Sequence, residues 1–88
     1  MGSFDDQKAI SEICKRHGLW HHIDACWGGI MAFSDKTKYL FDGAENADSI
    51  AVNAHKAFRA PEQCSYLLVN NKPNILGNAN CSGASYLF

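Results

Sequence analysis

Several things are scarce in this chain, and each scarcity closes off a class of function. No apolar run approaches the roughly 18 residues that a membrane-spanning helix needs. Charge of one sign is missing too: Lys and Arg number 8 against 9 for Asp and Glu, a net charge of −1. Such a balance offers no basic groove for nucleic acid and no attraction to an anionic membrane. There is no Cys-x-x-Cys pair, no His-x-x-x-His pair and no Gly-x-Gly-x-x-Gly loop, so neither a zinc site nor a dinucleotide loop is announced. The opening Met-Gly-Ser-Phe-Asp-Asp fits neither a secretory signal nor a transit peptide. Asp6 occupies the Ser/Thr position of the myristoylation pattern, which excludes that reading as well.

What is present is the composition of a globular interior, 47% hydrophobic against 19% charged, which argues against disorder. At 88 residues the chain has room for at most one small domain and a modest core. The four cysteines, Cys14, Cys26, Cys64 and Cys81, are even in number and so admit a disulfide reading. Cys14 lies on an apolar helical face and Cys64 opens an apolar run, which is how buried free thiols behave. A reduced, cytoplasmic chain is the expectation.

In chain order, Ser3 to Gly18 reads as one helix, capped by Ser3 or Asp5, with Ile10, Ile13, Cys14 and His17 as its buried stripe. Lys15, Arg16 and His17 suit the last turn, and Gly18 the left-handed stop. Leu19 to Ala25 reads as a strand ended by Gly28-Gly29, and Phe33 to Phe41 as a short helix capped by Ser34 and closed by Gly43. Asp48 to Asn53 and Cys64 to Val69 read as two more strands, with a loop around Pro61 between them. Asn70-Asn71 is a turn and Asn74 to Asn78 a short helical turn. Two strands are apolar on both faces, as in a sheet covered on both sides, yet the chain holds too little helix to cover them. The unpaired edges are an aggregation hazard.

Two polar groups stand at the ends of apolar strands. Leu19, Trp20 and Ile23 lead into Asp24, and Ile50, Ala51 and Val52 lead into Asn53 and then Lys56. Open α/β sheets bind ligands at the carboxyl ends of their strands. A carboxylate and an amine placed there suit one cofactor: the first keeps a ring nitrogen protonated, the second forms a Schiff base with an aldehyde. The bland alternatives are a solvated loop lysine and a structurally capped aspartate. His22, two residues before Asp24, shares its strand face and reads either as a partner that orients Asp24 or as a satisfied core histidine. A metal reading gathers His21, His22, Asp24 and His55, but adjacent His21 and His22 point to opposite faces of a strand, so no metal is expected.

The stretch Gly18-Leu-Trp-His-His-Ile-Asp-Ala-Cys-Trp-Gly-Gly29, then Ala47-Asp-Ser-Ile-Ala-Val-Asn-Ala-His-Lys56, resembles the pyridoxal-phosphate-dependent group II amino-acid decarboxylases. Gln63-Cys-Ser65 and Ala84-Ser-Tyr-Leu-Phe88 extend the likeness to the whole chain. The likeness is greatest to the acidic branch, the cysteine sulfinate, aspartate and glutamate decarboxylases. It implies an α/β fold: a slice, over residues 1–88, of the large cofactor-binding domain of a fold type I enzyme, with a mostly parallel sheet and covering helices. It implies pyridoxal 5′-phosphate as cofactor, a small acidic amino acid as substrate and a homodimeric full-length protein. Lys56 would carry the aldehyde and Asp24 would pair with the pyridine nitrogen. Ala25 would lie against the ring, Asn53 near the phosphate, and His55 beside the cofactor. Two positions depart from the family's habit: Cys26 replaces a second alanine, and Ala54 replaces the proline of Asn-Pro-His-Lys. The residues alone leave two rivals open, another fold type I enzyme such as an aminotransferase, and a non-catalytic remnant.

Overall fold

In the computed structural model, residues 2–70 and 73–80 are described. The order of elements is α1 (Gln7–His17), β1 (His22–Asp24), β2 (Ser49–Asn53), β3 (Ser65–Val69) and α2 (Ile75–Asn80), with three short 3-10 turns between β1 and β2. Asn71, Cys81 and the Ala84-Ser-Tyr-Leu-Phe88 motif lie outside the described residues.

Helix α1 starts later than the sequence suggests, because Asp6 takes the cap and its Oδ1 accepts the Ala9 N–H at 3.0 Å. Phe4 is drawn instead into an edge-on contact with Phe41, ring centroids 5.8 Å apart. The C-terminal stop is as expected: Gly18 is left-handed, φ 63°, and the Leu19 N–H reaches back to the Cys14 carbonyl at 2.9 Å. The buried stripe is displaced. Ser11 is the buried position on α1, whereas Ile13 and His17 are exposed. Its inward neighbour explains the shift, since buried His21 sets Nε2 3.0 Å from Gln7 Oε1 and Nδ1 3.5 Å from Ser11 Oγ. A polar partner therefore selects a polar face.

The sheet has the order β1-β2-β3. Strand β1 runs parallel to β2 with His22 opposite Ser49 and Asp24 opposite Ala51. Strand β3 runs antiparallel to β2, with Asn53 opposite Ser65 and Ser49 opposite Val69. The sheet is thus mixed, where a mostly parallel one was expected. The reason is the link over 54–64, too short for the crossover of a dozen or more residues that a parallel return requires. Strand β1 is also shorter than the apolar run from Leu19 implies, because Leu19 and Trp20 precede the paired register and stay exposed. Phe33 to Phe41 is not one helix but two 3-10 turns, Gly28–Phe33 and Lys38–Phe41, followed by a third, Ala44–Asn46. Tight turns of this kind return the chain from β1 to the start of β2. Gly43 permits the closest approach: at φ 92°, a Cβ there would stand 2.6 Å from the Lys8 backbone.

The core is small. Ile23, Ala25 and Ala47 are buried, packed by Phe41, Ala44, Ile50 and Val52. Large apolar side chains stand in solvent, among them Phe33 at 81% and Trp27 at 68%, and the run Tyr66, Leu67, Leu68 leaves both faces of β3 uncovered. Among the described residues, no helix is long and apolar enough to cross a membrane. Exposed apolar surface on this scale, with the edge at β3 unpaired among the described residues, favours association. The 88-residue chain on its own is expected to self-associate and to melt without a sharp transition. Sedimentation velocity and a circular-dichroism melt check this; a monodisperse monomer with a cooperative transition would contradict it.

Candidate active site

The parallel pairing of β1 and β2 brings their carboxyl ends to one side of the sheet. Asp24 is the last residue of β1, and Lys56 follows β2 in the turn after Asn53, its N–H donating to the Asn53 carbonyl at 3.2 Å. Between them lies a cleft of about 710 Å³ whose lining includes Asp24, Ala25, Cys26, Trp27 and Lys56, with Phe4, Met31 and Phe41 as apolar walls. Asp24 and Lys56 thus face one space from two different strand ends.

Asp24 is exposed rather than buried at its strand end. Its carboxyl is nevertheless held below its ordinary value of 3.8, first by a hydrogen bond from the Cys26 thiol and then by the Cys26 backbone N–H. That N–H reaches Oδ1 at 3.0 Å, closing a two-residue turn. The positive charges of Lys56 and His22 act in the same direction, against a desolvation cost. A depressed value means that the anion's interactions are fully present above the ordinary carboxylate range. They are lost only as pH falls through the lowered value, so Asp24 is an anion at neutral pH. The same bond pushes the Cys26 thiol up, because a neighbouring carboxylate disfavours a thiolate.

Ala25 is 3% exposed and extends the strand pairing by one step, its N–H donating to the Ala51 carbonyl at 2.9 Å. Its own carbonyl accepts the Gly29 N–H at 2.9 Å. A Cβ at Gly29 would press on Val52 at 3.2 Å, so the glycine lets the turn after β1 settle on β2. The Lys56 ammonium lies 5.7 Å from the Trp27 ring centroid, within the range of a cation–π attraction that steers the amine toward the turn after Asp24.

Two of the sequence-derived candidates stand elsewhere. Asn53 and His55 flank Lys56 but are not part of the cleft lining. The His55 Nδ1 lies 2.9 Å from the Cys64 carbonyl and 3.1 Å from the Cys64 N–H. Whichever tautomer the ring adopts, that nitrogen finds a partner, and the ring ties the lysine loop to the start of β3. His21 is buried against α1, while His22 is exposed and bonded to Ser49, so adjacent histidines do point to opposite sides of β1. His21, His22, Asp24 and His55 each have separate protein partners. Cys14, Cys26 and Cys64 are free thiols. Sequence reasoning gave Cys26 no role on Asp24 and missed Trp27 and Phe4 altogether. Cys26 had left a signal, as a departure from the family's alanine beside Asp24.

The contents of the cleft fit a planar aromatic aldehyde with a basic ring nitrogen. A fixed anion faces a primary amine across a space floored by a buried alanine and walled by apolar side chains.

Comparison with known proteins bears on the same residues. The model of the pyridoxal-dependent decarboxylase conserved domain matches residues 1–88. The chain is 48% identical to human cysteine sulfinic acid decarboxylase over 88 residues, covering all of this chain and 18% of that protein. It is 47% identical to an acidic amino acid decarboxylase of Mus musculus, covering 100% of this chain and 16% of the relative. Among solved structures, mouse CSAD in apo form superposes with a TM-score of 0.87 at 42% identity, over 99% of this chain and 18% of that one. The tryptophan decarboxylase of Catharanthus roseus, solved with L-tryptophan, gives 0.72 at 31% identity, over 76% of this chain and 14% of that one. The chain therefore spans less than a fifth of the length of these relatives.

Proposed function

The chain belongs to the pyridoxal-dependent decarboxylase family, and from that premise we propose that the full-length protein removes the α-carboxylate of a small acidic L-amino acid. The observation that carries this reading is the convergence of an ionised Asp24 and the Lys56 amine on one cleft. Pyridoxal 5′-phosphate, when bound, supplies an aldehyde and a ring that accepts the electrons left on the α-carbon as CO2 departs. Lys56 is the residue that would hold the aldehyde carbon. Asp24 is the one that would keep the ring nitrogen protonated, a role its lowered pKa suits, since it is an anion at neutral pH. Buried Ala25 leaves room for a flat ring, and Trp27 steers the amine. Asn53 and His55 then act from outside the lining, Asn53 through its carbonyl on the Lys56 N–H and His55 by anchoring the loop to Cys64.

Substrate class is supported by the relatives: in structural superposition mouse CSAD is 42% identical to this chain, against 31% for a tryptophan decarboxylase. We also read the full-length protein as a cytoplasmic homodimer, a reading that rests on the family resemblance; the uncovered apolar faces of β3 call only for burial against more protein. The test is carbon dioxide release from aspartate, cysteine sulfinate, glutamate and an aromatic amino acid. One of the acidic substrates is expected to turn over fastest, and faster turnover of the aromatic one would overturn the assignment.

A further inference from the structure

Ser49 opens β2 directly opposite His22 and is 6% exposed. Its Oγ lies 2.8 Å from the Trp20 indole nitrogen and 2.7 Å from His22 Nδ1. An indole N–H can only donate, so Ser49 accepts from Trp20 and makes its other bond to the imidazole. The hydroxyl is thereby seated from one side and holds a ring on the other. His22 is itself exposed, and an exposed imidazole without such a contact samples several rotamers. Positions 22 and 24 project from the same side of β1, with buried Ile23 on the opposite side. A ring fixed at position 22 is therefore a ring fixed on the face that carries Asp24.

We propose that Ser49 is a positioning residue: its buried hydroxyl, braced by Trp20, holds the His22 ring on the Asp24 side of β1 and so keeps the carboxylate in its working state. The proposal rests on the reading of Asp24 as partner of the cofactor ring. Other groups act on the same carboxylate. Cys26 reaches it from the turn after β1 and Lys56 from the turn after β2, while Asp5 lines the cleft from the segment before α1. His22 is the contribution made from β1 itself, and it adds to the others in favouring the anion. Ser49 touches neither the cleft lining nor any reacting group. Its effect must pass through the imidazole.

The experiment uses the full-length protein and the variants Ser49→Ala, Ser49→Thr, His22→Gln and Asp24→Asn. Histidine ring resonances of the cofactor-free protein are recorded by NMR at one fixed pH, and turnover is measured on the loaded protein. In Ser49→Ala the His22 ring resonances are expected to shift and average, because Nδ1 loses its partner at 2.7 Å and the freed ring samples several rotamers, while Ser49→Thr, which keeps the hydroxyl, follows the parent. Turnover should fall about tenfold in Ser49→Ala, as for the loss of one hydrogen bond, with KM little changed, and Ser49→Thr should recover at least about half of it. His22→Gln, at an exposed position, should reproduce the loss with the serine intact, which keeps the test decisive if Ser49→Ala does not fold. His22 ring resonances unchanged in Ser49→Ala, or full turnover in His22→Gln, overturn the proposal. If Asp24→Asn keeps full turnover, the cofactor reading falls instead, and the His22 ring resonances still report separately on Ser49 and His22.

Discussion

Asp24→Asn in the full-length protein is expected to slow the chemical step at least about a hundredfold, roughly 2.7 kcal/mol of barrier, while the cofactor is still captured by Lys56. The substitution is close to isosteric. An amide oxygen can still accept the Cys26 N–H that closes the turn at 3.0 Å, so the end of β1 keeps its shape. What disappears is the charge. Asp24 is held as an anion by Cys26, with Lys56 and His22 adding to it, and an anion is what keeps a pyridine nitrogen protonated. A neutral partner would leave a bound ring a poorer acceptor for the electron pair that stays on the α-carbon when CO2 departs. A hundredfold is modest for a charge-assisted contact at a reacting centre. Single-turnover kinetics, with the cofactor spectrum recorded on the same sample, separate capture from chemistry. An unchanged rate would make the carboxylate a structural cap and nothing more.

Lys56→Ala is expected to have the larger effect, because it removes a reacting atom rather than tuning one. The amine is half-buried in the turn after β2 and faces the Trp27 ring. Among the described residues no other lysine lines the cleft. Cofactor should then be held by non-covalent contacts only and be lost on gel filtration. Turnover should fall by at least about a thousandfold, some 4 kcal/mol of barrier. Retention of covalently bound cofactor by the alanine variant would show that another residue carries it.

The two variants also show how far the site was legible beforehand. Asp24, Ala25 and Lys56 could be read because each stands at or just after the end of an apolar run, and the parallel pairing of β1 with β2 brings those ends together. Asn53 and His55 sit in the same short motif, but their orientation depends on β3. The pairing of Asn53 with Ser65 puts Cys64 beside His55, a long-range register that no local pattern encodes. The helix start was misjudged because Ser3, Asp5 and Asp6 are all competent caps. The choice among them depends on Phe4 packing on Phe41, far along the chain. Trp20 misled in another way. Its bulk reads as strand interior, yet its indole N–H is committed to Ser49 and the ring remains exposed. Strands β2 and β3, by contrast, were legible to within a residue, since their β-branched and aromatic runs end at clear turn residues.

The central claim is that Lys56 and Asp24 hold one cofactor between them, and borohydride reduction tests it most directly. The full-length protein, loaded with pyridoxal 5′-phosphate, would be reduced, digested and mapped by mass spectrometry. The account predicts a single stable pyridoxyl adduct on the peptide containing Lys56, formed equally well in Asp24→Asn and absent in Lys56→Ala. An adduct on a different lysine, or none in the unsubstituted protein, would contradict it.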